Sequence, residues 1–531
     1  MATLTARSTI TLRLWVSTSL KRCWWRYPEG VGQCIPAYAA QFVQNKWTYG
    51  SDEYGFMSLQ ASKDWIKLQY HTADKSWQFG ETFNSTTVGG VETKHCWYIP
   101  EMLNYKTLAN TAALLALVGS SSHATVTLAA QTSAQVSDPA TAKYSVSVFG
   151  IGDWGATTYK GSCCGSNSNN YDLNSQEVVA TLMNIEAGAS LKPKAVLAHG
   201  DNFYWNGINY LAERDGRFAA SFESKYDGDN IKSVPWVAVM GNHDYGGSDY
   251  ICSSGDKLVP CNNTAELFQG LENKFKWQSE YTSPNDNRWA MDGRFYVHRV
   301  KDPATGVSID IFNVDTNDND HGAELICCQC YGYAKTDSSG CNTITREGKY
   351  CFGGDKAMFD TCKAKFAKWG NESRTQLAKL AAKSDATWKI VNSHYSPYDH
   401  YAEPGMKKWF DALRNSGVRA FLHGHTHAEK HDYSKAVGVH FIENGAGGGR
   451  QSGKVSSIQA YAANLVKNEW SYTPGEYGFF SMQASTDWMK LQYHTADNKW
   501  NFTEKWEDMT IGVATKHCWY IPADGSEGKA C

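Results

Sequence analysis

Residues 146–155 read VSVFGIGDWG and residues 195–207 read AVLAHGDNFYWNG. Each is a short apolar run, a glycine turn and then a carboxylate. An apolar run, a turn and then a metal-ligand side chain return three times downstream, as WVAVMGNHD at 236–244, WKIVNSH at 388–394 and VRAFLHGHTH at 418–427. The runs at 146–151, 195–199, 236–240, 388–391 and 418–422 are short and rich in β-branched residues, which predicts buried strands rather than helices. Polar stretches rich in Ala and Lys lie between them, such as 175–188 and 376–384, and predict covering helices. Strands alternating with helices give an α/β sheet whose loops gather at one edge, where ligands bind in such folds.

The loops themselves carry metal-ligand chemistry. Asp153, Asp201, Tyr204, Asn242, His394, His425 and His427 offer oxygen and nitrogen donors, which suit hard to borderline cations such as Fe, Mn or Zn. Seven donors are too many for one tetrahedral zinc, but fit two adjacent metals if one carboxylate bridges them. Glycines before the ligands permit tight turns and close approach of the backbone. One GDxG alone is an ordinary turn, and one GHxH an ordinary pair of histidines. Five such loops, each after a strand, form a constellation.

This set resembles the metallophosphoesterases, and among them the purple acid phosphatases. Their pattern GDxG, GDxxY, GNH(D/E), VxxH, GHxH is matched across roughly 146–427. The discriminating residue is Tyr204 in GDNFY, since purple acid phosphatases bind ferric iron through that tyrosine. The resemblance implies a four-layer α/β/β/α sandwich with a terminal β-hairpin, and an acid phosphatase acting on phosphomonoesters. It implies Fe(III) held by Asp153, Asp201, Tyr204 and His427, and a divalent Fe, Zn or Mn held by Asn242, His394 and His425 with Asp201 as the bridge. A metal-bound hydroxide would attack phosphorus. His243, next to the ligand Asn242, is carried over as the donor that faces substrate. For the acid that protonates the leaving alkoxide, His400 is the nearest histidine and His431 its substitute. Two rivals are a phosphodiesterase of the same superfamily and a non-catalytic secreted phosphate- or metal-binding protein.

The flanks need a separate account. Residues 37–79 align without gaps onto 460–502 with 28 of 43 positions identical, and TKHCWYIP occurs at 93–100 and again at 515–522. Such density means duplication. Between the first copy and the ligand loops, Met102 opens a segment with Lys106, an apolar stretch at 107–118 and a small-residue cleavage site after Ala124. That is the pattern of a secretory signal, and the stretch is too short to span a membrane. The expected division is therefore a partial duplicate at 1–101, a signal-like segment at 102–124, a linker at 125–143 and a catalytic domain at 144–449 with a Cys-rich insertion at 321–365. Residues 450–531 form the C-terminal hairpin segment of the same domain. The insertion is either a stapled lid or a protected surface loop. Fifteen cysteines point to disulfides in an oxidising compartment, secreted or lysosome-like. Asn262, Asn371 and Asn501 are then glycosylation candidates. A net charge of −3 with no basic run gives no footprint for nucleic acid or an anionic membrane.

Overall fold

The computed structural model describes residues 12–15, 55–61, 65–73, 91–100, 137–155, 175–246, 249–334, 341, 348–449, 455–473, 476–497 and 511–531. The chain divides into two compact units, 1–131 and 132–531. The signal-like segment at 102–124, Cys163, Cys164 and Asn501 lie outside the described residues.

In the larger unit, strand β1 (Val146–Ile151) is followed by helix α1 (Ser175–Ala189), strand β2 (Val196–Ala198) and strand β3 (Trp236–Ala238). These three strands run parallel. On the far side of β1 an antiparallel set continues the sheet, and its strands run Gly478–Ala484, Trp488–Ala496 and Val513–Pro522. The expected terminal hairpin is thus present and gains a third strand. TKHCWYIP closes the pattern because its alternating His517, Trp519 and Ile521 reach the same core as the hairpin.

A second sheet holds β4 (Ser308–Val314), β5 (Trp388–Asn392), β6 (Ala420–His423), β7 (Glu429–Ser434) and β8 (Val439–Asn444). Strands β4, β5, β6 and β8 are parallel, and β7 runs antiparallel beside β8. Side chains alternate across each strand, so a strand covered on both faces reads as a continuous apolar run. Val146 and Val148 of β1 enter the layer between the sheets with Ile311, Ile390 and Leu422. Phe149 and Ile151 point the other way, against Val179, Leu182 and Met183 of α1. On the outer face of the second sheet, Phe421 and Phe441 pack with Leu377 of a long helix (Lys356–Ala381) and Trp409 of a shorter one (Glu403–Leu413). Helix, sheet, sheet, helix: the four layers are complete.

One expectation needs correction. The covering helix expected at 376–384 begins twenty residues earlier, at Lys356. Its early turns were obscured because they fall inside the cysteine-rich stretch. The described part of that stretch is anchored in the core. Cys327, Cys328 and Cys362 are at most 1% exposed and sit in the core with Phe359 and Phe366. The pairs Cys327–Cys362, Cys328–Cys351 and Cys330–Cys341 staple it, and Cys252–Cys261 and Cys518–Cys531 close two further loops. Asn262 and Asn371 are exposed.

The smaller unit has a four-stranded sheet. Three of its strands, Gly55–Ala61, Trp65–Ala73 and Val91–Pro100, repeat the register of the C-terminal three, down to a bulge at Tyr70/His71 that matches Tyr493/His494. The fourth, Leu12–Trp15, pairs antiparallel with Gly55–Ala61. Leu12 faces Leu59 where, in the other copy, Val148 faces Met482. The segment thus takes the place that β1 has in the larger unit.

Candidate metal centre

All five ligand loops leave strand ends at one edge of the two sheets. Asp153 follows β1, Asp201 follows β2, Asn242 follows β3, His394 follows β5, and His425 and His427 follow β6. Four of these residues, Asp153, Asp201, His425 and His427, have positive φ of 54°, 51°, 76° and 57°. For non-glycine residues that backbone is uncommon and costs free energy, so its concentration here marks a functional site. The neighbouring glycines give room as well as turns. A Cβ at Gly241 would lie 2.2 Å from Asp201 Oδ1, and one at Gly424 2.2 Å from Asp153 Oδ2.

The donors converge as two groups. Asp201, His394 and His425 bring ligand atoms within 4.8 Å of one another, as do Asp153, Asp201 and His427. Asp201 belongs to both. The Tyr204 hydroxyl donates to Asp153 Oδ1 at 2.8 Å and lies 2.9 Å from His427 Nε2. Asn242 Oδ1 lies 3.1 Å from His394 Nε2 and 3.1 Å from His425 Nδ1. Among the described residues, Asp201 Oδ2 is buried with no hydrogen-bond partner. A buried carboxylate oxygen left bare is costly. A bound cation would remove that cost, so the donor set fits a metal pair.

The surroundings orient these donors. His394 Nδ1 lies 2.8 Å from the carbonyl of His199, so Nδ1–H donates there and Nε2 keeps its lone pair for the site. His199 is locked in turn by Asn392 at 2.6 Å, and burial lowers its pKa to about 4, so the ring is neutral. The main-chain N–H of His425 donates to Asp153 Oδ2 at 2.8 Å. Burial pushes the Asp153 carboxyl well above its ordinary range, with His394 pulling the other way. Burial also raises Asp201, but His394, His243 and the His243 main-chain N–H outweigh it and leave that carboxyl lowered. A charge that the protein disfavours on its own is one that a cation stabilises.

His243 lies beside this cluster. Its main-chain N–H donates to Asp201 Oδ1 at 2.9 Å, and its Nδ1 lies 2.7 Å from the carbonyl of Trp205. His400 is also brought in, with its ring 5.0 Å from that of His425 and its Nε2 3.3 Å from Thr426 Oγ1. Burial disfavours its protonation, but the Asp399 carboxylate, 3.0 Å from Nδ1, more than offsets this and raises its pKa. His431 is elsewhere. It sits on β7, fully buried, 3.0 Å from His517 Nε2 and 2.9 Å from His440 Nδ1. As a substitute for His400 it is ruled out by position.

Asp244, the last residue of GNHD, went unread in the sequence. Its carboxylate accepts the main-chain N–H groups of Asn202, Phe203 and Gly241. Burial and the Asp201 charge push its pKa up, while the N–H groups of Gly241 and Asn202 favour the charged carboxylate. The only sequence signal was a carboxylate one residue beyond a histidine, which has many uses.

Residues 147–429 match the calcineurin-like phosphoesterase family model. Over 284 residues the chain is 25% identical to tartrate-resistant acid phosphatase type 5 of Mus musculus, covering 52% of this chain and 65% of that protein. It is 24% identical over 325 residues to purple acid phosphatase 17 of Arabidopsis thaliana, covering 60% of this chain and 74% of that protein. The chain spans 60–65% of the length of the tartrate-resistant phosphatases of mouse, rabbit and human that it matches. Among solved structures, purple acid phosphatase PPD1 from yellow lupin seeds aligns with a TM-score of 0.37 and 14% identity, over 85% of this chain and 59% of that one.

Proposed function

The chain belongs to the calcineurin-like phosphoesterase family, and from that premise we propose that it is an acid phosphatase hydrolysing phosphomonoesters at a dinuclear metal centre. The observation that carries this reading is the meeting of two donor groups on Asp201, with the Tyr204 phenol against Asp153 and His427. Tyr204, Asp153 and His427 would hold Fe(III), and Asn242, His394 and His425 a divalent Fe, Zn or Mn, with Asp201 common to both. When bound, such a pair supplies Lewis acidity, offsetting phosphate charge and acidifying water.

The chain's own residues supply the rest. His243, with Nδ1 engaged by the Trp205 carbonyl, has Nε2 as the donor for a phosphoryl oxygen as charge builds there. His400, whose protonation the Asp399 carboxylate favours against burial, is the residue placed to give a proton to the departing alkoxide. The five disulfides among the described residues support folding in an oxidising compartment. Among the described residues no helix is long and apolar enough to cross a membrane.

The test is p-nitrophenyl phosphate turnover from pH 4 to 8, alongside metal content per chain, for the wild type and Asp201→Asn. Turnover on the acid side that disappears in the variant, together with loss of metal, supports the reading. A folded, metal-loaded wild type that turns over nothing overturns it.

A further inference from the structure

The segment Tyr204–Asn206 is held by its backbone in an unusual way. Three successive carbonyls each accept from a different nitrogen-bearing side chain. Arg217 Nη2 reaches Tyr204 O at 2.6 Å, His243 Nδ1 reaches Trp205 O at 2.7 Å and Lys274 Nζ reaches Asn206 O at 2.6 Å. Lys274 is fully buried, which is an expensive place for an amine and is tolerated because it bonds this loop. Tyr204 and Asn206 are buried, yet Trp205 between them is only half-buried. Its ring lies 5.2 Å from that of His243, at 69°, and 5.1 Å from that of Tyr204. The backbone that carries this indole is held from three sides, and the ring packs beside the imidazole that would meet the phosphoryl group.

We propose that Trp205 is a specificity-determining residue: its ring is the wall against which the organic part of the ester rests, and it selects phosphoesters whose organic group carries a flat ring. The assignment rests on the phosphatase reading above. Aromatic faces attract one another by offset stacking or edge contact, and a rigid wall loses little freedom when a ring settles on it. The main-chain contacts of Trp205 do not depend on its side chain, so the ring can be removed while the carbonyl that orients His243 stays.

The experiment uses the full chain as wild type, Trp205→Ala and Trp205→Phe. Phosphate release from β-glycerophosphate is inhibited competitively with phenylphosphonate or methylphosphonate, which share the phosphonate and differ in the ring. The wild type should bind phenylphosphonate about three- to tenfold more tightly than methylphosphonate, as one aromatic contact provides. Trp205→Ala should erase that ratio with methylphosphonate inhibition within twofold of wild type, and Trp205→Phe should keep most of it. A ratio unchanged in Trp205→Ala, or equal weakening of both inhibitors, overturns the assignment while leaving the phosphatase in place. A wild type that releases no phosphate from any monoester overturns both.

Discussion

Asp244 Oδ1 accepts the main-chain N–H of Phe203 at 3.1 Å, so the loop bearing Asp201 and Tyr204 hangs from the loop bearing Asn242 and His243. The two loops come from different strands, and one carboxylate sets their spacing.

Asp244→Asn tests that clamp. An amide offers one accepting oxygen where the carboxylate offers two, and its NH₂ would face N–H groups that lose their partner. Each buried donor so stranded costs about 1–3 kcal/mol. Thermal unfolding should therefore fall by several degrees, and metal retained through dialysis should fall with it. Wild-type metal retention in a destabilised variant would show that the clamp serves the fold alone.

Tyr204→Phe removes one hydroxyl from between Asp153 and His427. If that oxygen binds ferric iron, the visible absorption of the purified enzyme disappears in the variant while the fold persists by circular dichroism. A phenylalanine variant that keeps its colour would sink the assignment of iron to Tyr204.

His400 and His431 are separated by kinetics and stability. His400→Ala should lower kcat about a hundredfold, the usual worth of one proton donor, beyond what the loss of its buried Asp399 partner costs the fold. His431→Ala should lower the unfolding temperature and leave kcat close to wild type, because its ring bonds His440 and His517 deep between strands. Similar kcat losses in both would contradict the placement of His431.

Acid should weaken the fold through the same trio. Burial holds His517 down to about 4, His440 to about 3 and His431 well below its ordinary value. All three are neutral in the fold, whereas in the unfolded chain they take protons near pH 6.5. The unfolded state then binds more protons, so their contribution is intact above pH 6.5 and is lost as pH falls toward 4 and below. His517→Gln should flatten the slope of unfolding free energy between pH 6.5 and 4 by up to about 1.4 kcal/mol per pH unit. An unchanged slope would mean that the cluster already carries protons in the native state.

The candidate metal donors that the fold brings together were legible in sequence because each follows a strand, so strand, turn and donor are neighbours in the chain. Two sheets packed on apolar faces then bring those strand ends together. Asp244 could not be read that way, since its partners at 202, 203 and 278 meet it only after folding. His431 failed for a related reason. GHTHAEKH looks like a polar loop, but Glu429–Ser434 is a strand buried along its length. Its charged Lys430 is sustained there by Asp399 and Asp432, which no local pattern announces. The helix start at Lys356 was hidden by cysteines whose pairing is a property of the three-dimensional core.

The short strand Leu12–Trp15 bears on how this chain finds its fold during synthesis. The hairpin at 55–73 leaves the ribosome long before Val146–Ile151, carrying nearly the same sequence and the same register as the hairpin at 478–496 that β1 must eventually pair with. A growing chain therefore meets the wrong partner for β1 first and the right one last. In the folded chain Leu12–Trp15 occupies the edge of Gly55–Ala61 in the register β1 would use, so that edge of the early copy is already paired.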